Sequence, residues 1–207
     1  MEITYRGGNC VEFAIKKETV VIDGALSKLG LKDINAKDGV YLATQRGWNP
    51  EAAATMCIDG PGEYEVRGVS IKGVASTSMI ALNDEKNATI YRVVLEGVTI
   101  AVVGHVRVPL TEDELEKIGV VDIAILPVGG NGYTMDAHQA AGVVKQLEPK
   151  VVIPTHYADP AITYEVPQNP IDEFLKEMSA EHEVVSSYKI KGAVLPAQLT
   201  VVEITRS

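Results

Sequence analysis

Two histidines carry most of the chemical interest of this sequence. His105 follows Gly104 at the end of the apolar run 98–103, and His156 follows Thr155 at the end of the run 151–154. Imidazole binds transition metals, moves protons near neutral pH and hydrogen-bonds through either nitrogen. Two imidazoles alone hold a metal weakly, because zinc sites in proteins usually take at least three protein ligands. A third donor would have to come from Asn49, Asp23 or a loop carboxylate. Without one, the pair reads as hydrogen-bonded or solvated histidines in a pocket.

The remaining reactive groups read more simply. His138 falls in the first turn of a predicted helix and His182 in a Glu-rich stretch, so both are expected at the surface. Cys57 precedes a Gly-Pro turn with no adjoining His or basic residue to lower its pKa, which favours an ordinary thiol over a nucleophile. Asp23 closes a strand-like run, where a turn or capping role is the simplest reading and support for a ligand from behind is the other. Asp136 is read as a helix cap. Gly129-Gly130-Asn131-Gly132 lacks the strand, Gly-rich turn and Lys of a phosphate-binding loop. No Ser/His/Asp arrangement has the local context of a nucleophile elbow.

The elements that must position these groups follow from periodicity and turn residues. Residues 2–5, 11–15, 19–23 and 40–43 read as short β-branched or apolar strands. Asp59-Gly60-Pro61-Gly62 is a turn signal. Residues 64–66 and 69–75 flank Arg67-Gly68 as one hairpin, and 90–95 and 98–103 flank Glu96-Gly97 as a second. The second half alternates strand and helix. Thr111 and Glu114 form a capping box ahead of a helix that runs to Ile118 and stops at Gly119. Residues 123–128 are strand. Asp136, with Gln139 in the box position, opens a helix through Leu147 that Pro149 stops. Residues 151–154 and 199–204 are strands. Asn169-Pro170 opens a last helix to about Met178, with Pro at its first position. The irregular stretch 158–168 is long enough to fold over a pocket. This order by itself supports an α/β or α+β fold.

Composition narrows the function classes. Hydrophobic residues make up 46%, enough for a core, while aromatics are only 5%, so Val, Ile, Leu and Ala must fill it. A formal charge of −9 argues against nucleic acid as a partner, since phosphate affinity comes from Lys and Arg. No apolar run approaches the roughly 20 residues that span a bilayer, and no signal peptide is apparent. Two cysteines make no disulfide framework, so a reducing cytoplasm is expected.

Six segments together resemble the metallo-β-lactamase superfamily, in particular its small, broadly distributed branch of metal-dependent hydrolases. They are Met1-Glu-Ile-Thr-Tyr-Arg-Gly7, Val20-Val-Ile-Asp23, Ile58-Asp-Gly-Pro-Gly-Glu-Tyr-Glu-Val66, Leu126-Pro-Val-Gly-Gly130, Thr134-Met-Asp-Ala137 and Pro149-Lys-Val-Val-Ile-Pro-Thr-His-Tyr157. The resemblance implies one domain over residues 1–207, a four-layer αββα sandwich of two mixed β-sheets with helices outside. It places the active site along one edge, where strand-end loops meet. Relatives hold one or two zinc ions there with His and Asp and lower the pKa of a bound water. Their main motif, His-x-His-x-Asp-His, aligns with Gln45, Gly47, Asn49 and Pro50. Gly and Pro offer no side-chain ligand, and Gln and Asn offer only neutral carbonyl oxygens. The next ligand His aligns with Ser78, the bridging Asp with His105, the final His with His156, and an N-terminal His of many relatives with Gly8.

The expectation is therefore a degenerate metal site in a hydrolase-type scaffold turned to binding or assembly, with Gln45, Trp48, Asn49, Ser78, His105 and His156 around a vestigial pocket. Trp48 would fill space left by the metal or stack on a ligand. Arg46 and Arg107, flanking two lost ligand positions, would draw in an anion, unless they are ordinary exposed loop residues. No cofactor is expected. The alternative is a working hydrolase of an ester, amide or phosphodiester, its site rebuilt with zinc or another divalent transition metal on His105 and His156. A small-molecule ligand and a homo-oligomer are the partners left open, with nucleic acid and membrane excluded.

Overall fold

A computed structural model describes residues 1–16, 18–51 and 56–207. The strands of the first half form where β-branched runs alternate between tight turns. They are β1 (Glu2–Gly7), β2 (Cys10–Ile15), β3 (Glu18–Ile22), β4 (Val40–Leu42), β5 (Met56–Ile58), β6 (Gly62–Val66), β7 (Val69–Ser76), β8 (Ala88–Leu95) and β9 (Val98–Val102). A short 3-10 turn, Leu26–Leu29, lies between β3 and β4. Both predicted hairpins close on two-residue turns with positive φ at each position: Arg67 at 52° and Gly68 at 80°, Glu96 at 49° and Gly97 at 82°. That backbone matches the twist of the strands it joins.

The second half winds as α1 (Glu112–Ile118), β10 (Ile123–Pro127), α2 (Ala137–Leu147), β11 (Val151–Thr155), α3 (Ile171–Met178), β12 (Glu181–Val185), β13 (Tyr188–Lys189) and β14 (Thr200–Ile204). Capping boxes start α1 at Thr111 and α2 at Asp136. The third helix departs from expectation by one residue. Pro170 is its extended N-cap, not its first helical residue, because the Asn169 backbone N–H is held by the Gly129 carbonyl at 2.7 Å. Strands β5, β12 and β13 were not expected. β12, Glu-His-Glu-Val-Val, is an exposed edge strand, so it has no apolar alternation to read.

Two mixed sheets result. One runs β13-β1-β2-β3-β4-β5 and the other β12-β14-β11-β10-β9-β8-β7-β6. Ile3, Phe13, Val20 and Ile22 of the first meet Ile71, Val93, Ile100, Ile125 and Ile153 of the second in the central core. The outer face of the second sheet, through Ala101, Ala124, Leu126 and Val152, packs on Ile118, Val143, Val144 and Phe174 of the helices. β10 and β11 are buried along their whole length, which is why they read as unbroken apolar runs. The outer face of the first sheet is covered by Leu26, Leu29 and Ile162. The fold is thus the α/β sandwich of two mixed sheets with helices outside. Among the described residues, no helix is long and apolar enough to cross a membrane.

Candidate functional site

The carboxyl ends of β9 and β11 sit beside each other through β10, and each delivers one histidine. Gly104, at φ 66°, lets the chain turn after β9; a Cβ there would stand 2.7 Å from Thr44 Cβ. His105 is then held by its carbonyl, which accepts from Met79 N at 2.9 Å. His156 takes the left-handed conformation at φ 50°, and its N–H donates to the Gly8 carbonyl at 2.7 Å. Gly8 therefore contributes to this corner through its backbone carbonyl.

The two imidazoles are nearly enclosed, at 4% and 1% exposure. Their ring centres lie 4.5 Å apart with the planes at 87°. Tyr133 stands 5.4 Å from His105 and 5.8 Å from His156, and Tyr164 4.8 Å from His156. The stretch 158–168 thus does lie over His156, through Tyr164 and Gln168. Gln168 Nε2 donates to the Val166 carbonyl at 2.8 Å, so its Oε1 faces Thr134 Oγ1 at 3.2 Å and His156 Nδ1 at 3.3 Å. The proton of His156 accordingly belongs on Nδ1, leaving the Nε2 lone pair toward the site. Burial pushes the His156 pKa down to about 4. Burial, and then the neighbouring imidazole, hold His105 well below the usual histidine range. Both rings are neutral at neutral pH. Both nitrogens of His105, Nε2 of His156 and Oδ1 of Asn49 are buried without a hydrogen-bond partner. Such atoms are rare in folded proteins and each calls for an explanation.

The other expected site residues divide. Gln45 Nε2 donates to Ser78 Oγ at 2.7 Å, so these two side chains satisfy each other. They open on a cleft of about 570 Å³ that Arg46, Asp59, Lys86 and Asn87 also line. Neither His105 nor His156 lines that cleft, so the single pocket expected from sequence is two neighbouring places. Trp48 flanks the histidines, its ring centre 6.5 Å from that of His105 and 5.2 Å from Lys28 Nζ; the tyrosines stand closer. Arg107 clamps the loop before β8, bonding Asp84 at 2.6 Å and the carbonyls of Ala81 and Asn83, and so is engaged locally. Arg46 is exposed.

Asp23 corrects its reading as a turn or cap. It is buried and accepts from Thr44 N and Thr44 Oγ1, both at 2.7 Å, and from Asn9 Nδ2 at 2.8 Å. Asn9 Oδ1 in turn accepts from Thr155 Oγ1 at 2.8 Å. This chain braces the ends of β1, β3, β4 and β11 immediately behind Gln45 and His156. Burial outweighs the three hydrogen bonds and pushes the Asp23 pKa up to about 6. His138 pairs with Glu177 and His182 with Glu203 on the surface. Cys57 is exposed, and burial of its thiol together with nearby Asp59 raises its pKa, contrary to what a nucleophile needs. Tyr133, Tyr164 and Gln168 escaped sequence reading, since neither their type nor their spacing distinguishes them from packing residues.

A hydrolytic zinc needs three protein ligands that bind tightly and leave one position for water. Among the described residues, no group of three His, Cys, Asp or Glu side chains stands close enough to hold a metal ion. Gln45 and Ser78 are committed to each other, and the Asp23 carboxylate to Asn9 and Thr44. The residues present do not fit a zinc centre of that kind.

Comparison with known proteins agrees with the architecture. A metal-dependent hydrolase of Lysinibacillus sphaericus is 25% identical over 222 residues, covering 85% of this chain and 96% of that protein. One of Pyrococcus furiosus is 45% identical over 73 residues, a stretch that spans only 32% of its length. A crystal structure from Thermotoga maritima, of the metallo-β-lactamase superfamily, superposes with a TM-score of 0.77 at 28% identity, covering 99% of this chain and 98% of that one. A metallo hydrolase of Ignicoccus hospitalis shares the fold at 19% identity and a TM-score of 0.60, covering 99% of this chain and 94% of that one. The family model for the β-lactamase superfamily domain matches residues 2–156, which include every strand end that builds the site, and the chain belongs to that superfamily.

Proposed function

We propose that this chain is a non-hydrolytic member of its family, which keeps the sandwich and uses its strand ends to bind or assemble instead of to cleave. The observation that carries this reading is the 2.7 Å bond between Gln45 and Ser78. Two positions that would supply imidazole in a working relative instead close on each other as neutral groups, and Gly47 and Pro50 supply nothing. A metal held too weakly cannot lower the pKa of a bound water to near neutrality. The cleft beyond Gln45 and Ser78 has room for a small polar molecule, and a reducing cytoplasm suits the two-cysteine composition. Metal analysis of protein purified without chelators tests the proposal. Zinc well below one equivalent is expected, and tightly held zinc at one per chain overturns it. Thermal-shift screening against small polar metabolites then separates a binder from an assembly protein, because a ligand of the native state raises the melting temperature. Sedimentation reads the assembly.

One observation favours a second reading, a hydrolase rebuilt on His105 and His156: the three unpartnered ring nitrogens. Zinc or another divalent ion would be its cofactor, and an ester, amide or phosphodiester its substrate. Replacing both histidines without changing metal content or hydrolysis removes it.

A further inference from the structure

The cleft beyond Gln45 and Ser78 lies where the ends of the two sheets meet. Tyr91 Oη stands 3.1 Å from the carbonyl oxygens of both Ala43 and Ile58, which holds the ends of β4 and β5 against β8. Thr89 N donates to the Thr44 carbonyl at 2.8 Å, beside Gln45. Gly73 lets the turn Asp59-Gly60-Pro61 close on β7, since a Cβ there would stand 2.8 Å from the Gly60 carbonyl oxygen. The loop after β4, the turn after β5 and the loop between β7 and β8 thus wall one cleft of about 570 Å³. That volume is ordinary for a small-molecule site.

The charges along the cleft limit what it can hold. Arg46 and Lys86 supply cations, and Asp59 and Glu85 supply carboxylates. Lys86 is engaged by Glu114 at 3.2 Å. Among the described residues, Arg46, Asp59 and Glu85 enter no ion pair. A simple anion would meet two carboxylates there, and a simple cation would meet Arg46. A molecule carrying one charge of each sign answers both. The floor adds neutral hydrogen-bonding groups. Ser78 Oγ accepts from Gln45 and keeps its own proton to donate. Asn87 Oδ1 accepts from Ser78 N at 2.8 Å, which leaves its Nδ2 as a donor. Ile80, at 54% exposure, adds apolar surface to the wall. A carboxylate, an ammonium, an amide and an apolar side chain occur together in a short peptide. The two ends of an extended dipeptide stand about 7 Å apart, against one shared carbon in a free amino acid, so they can answer charges on different walls.

We propose that this cleft binds short zwitterionic peptides, with the terminal carboxylate on Arg46, the terminal ammonium at Asp59 and Glu85, and the peptide group over Ser78 and Asn87. This rests on the reading of the chain as a binding protein and names what is bound.

Isothermal titration calorimetry of the full chain at low salt, with the dipeptide alanyl-leucine, tests it. One saturable site is expected. Acetylating the amino end or amidating the carboxyl end is expected to weaken binding about 10-fold or more. Arg46→Gln is expected to weaken the free peptide as much as amidation does and to leave the amidated peptide unchanged. The Asp59→Asn, Glu85→Gln double variant is expected to stand in the same relation to the acetylated peptide. Ile80→Ser is expected to weaken binding about 3-fold. All four positions are exposed, so the variants are expected to fold, which circular dichroism checks. No saturable binding to the unaltered chain overturns the site. Equal binding of free and blocked peptides, or binding that Arg46→Gln leaves unchanged, overturns it too. In each of those cases the non-hydrolytic reading still stands or falls on its metal analysis. Mass spectrometry of the incubated peptide separates the two claims: bound and intact peptide supports both, whereas bound and cleaved peptide overturns the non-hydrolytic reading and leaves the peptide site standing.

Discussion

Two neighbouring places at the same strand ends treat their polar groups in opposite ways. At Gln45 and Ser78 the side chains bond to each other and face an open cleft. At His105 and His156 the rings are sealed, with both nitrogens of His105 and Nε2 of His156 unpartnered. The first place is ordinary hydrogen-bonded protein structure. The second still has the polar inventory of a binding site, and it has the less usual energetics, because a buried polar atom without a partner costs stability. Behind both stands the Asn9–Asp23–Thr44–Thr155 brace, which serves the two places equally.

The largest expected effect tests the sealed histidines. Their pKa values lie below the unfolded value of 6.5, so the folded state binds fewer protons than the unfolded state in mild acid. Stability is therefore fully present above pH 6.5 and is lost as pH falls toward about 4, where His156 alone accounts for about 3 kcal/mol. Denaturant unfolding of the metal-free protein between pH 7.5 and 4 measures this, and the His105→Phe, His156→Gln double variant is expected to lose most of the acid sensitivity. Equal slopes in the two proteins would mean that the rings titrate normally.

Asp23 has the opposite sign. Its folded pKa of about 6 is above the 3.8 of a free carboxyl, so its contribution is fully present below pH 3.8 and lost as pH rises through about 6. Asp23→Ala is expected to destabilise by a further ~2 kcal/mol at pH 4.5 relative to its effect at pH 8. A pH-independent effect would remove the carboxyl from its buried place in the brace.

Smaller effects belong to the open side. Gln45→Ala leaves Ser78 Oγ at the edge of a wet cleft, where water replaces the lost bond, so a cost of about 1 kcal/mol is expected. A loss above 3 kcal/mol would show that this bond is structural in the way the brace is. Arg107→Ala, which frees a surface loop, should change global stability by less than 1 kcal/mol and raise proteolysis between β7 and β8.

Much of the fold was legible because local chemistry decided it. The capping boxes at Thr111 and Asp136 and the turns at Arg67-Gly68 and Glu96-Gly97 are each set by residues within three positions of one another. The alignment of His105 and His156 with strand ends came from the family resemblance, and the structure puts both at the expected β9 and β11 termini. What stayed hidden depends on distant contacts. The bond between Thr155 and Asn9 joins residues 146 positions apart, and no local pattern announces it. Tyr133, Tyr164 and Gln168 reach the histidines from loops whose course is set by tertiary packing. The Gln45–Ser78 bond was equally unreadable, since it depends on the loop after β4 meeting the end of β7.

The pairing of β1 with β13 and the anchoring of His156 on Gly8 have a consequence for biosynthesis. β1 and Gly8 are made well before their partners near positions 156 and 188, so β1 waits with one edge open until those residues emerge. Contacts of such long sequence separation form slowly and expose strand edges meanwhile. This sheet is thus expected to close only once the region around residue 188 has emerged, and to lean on chaperones until then.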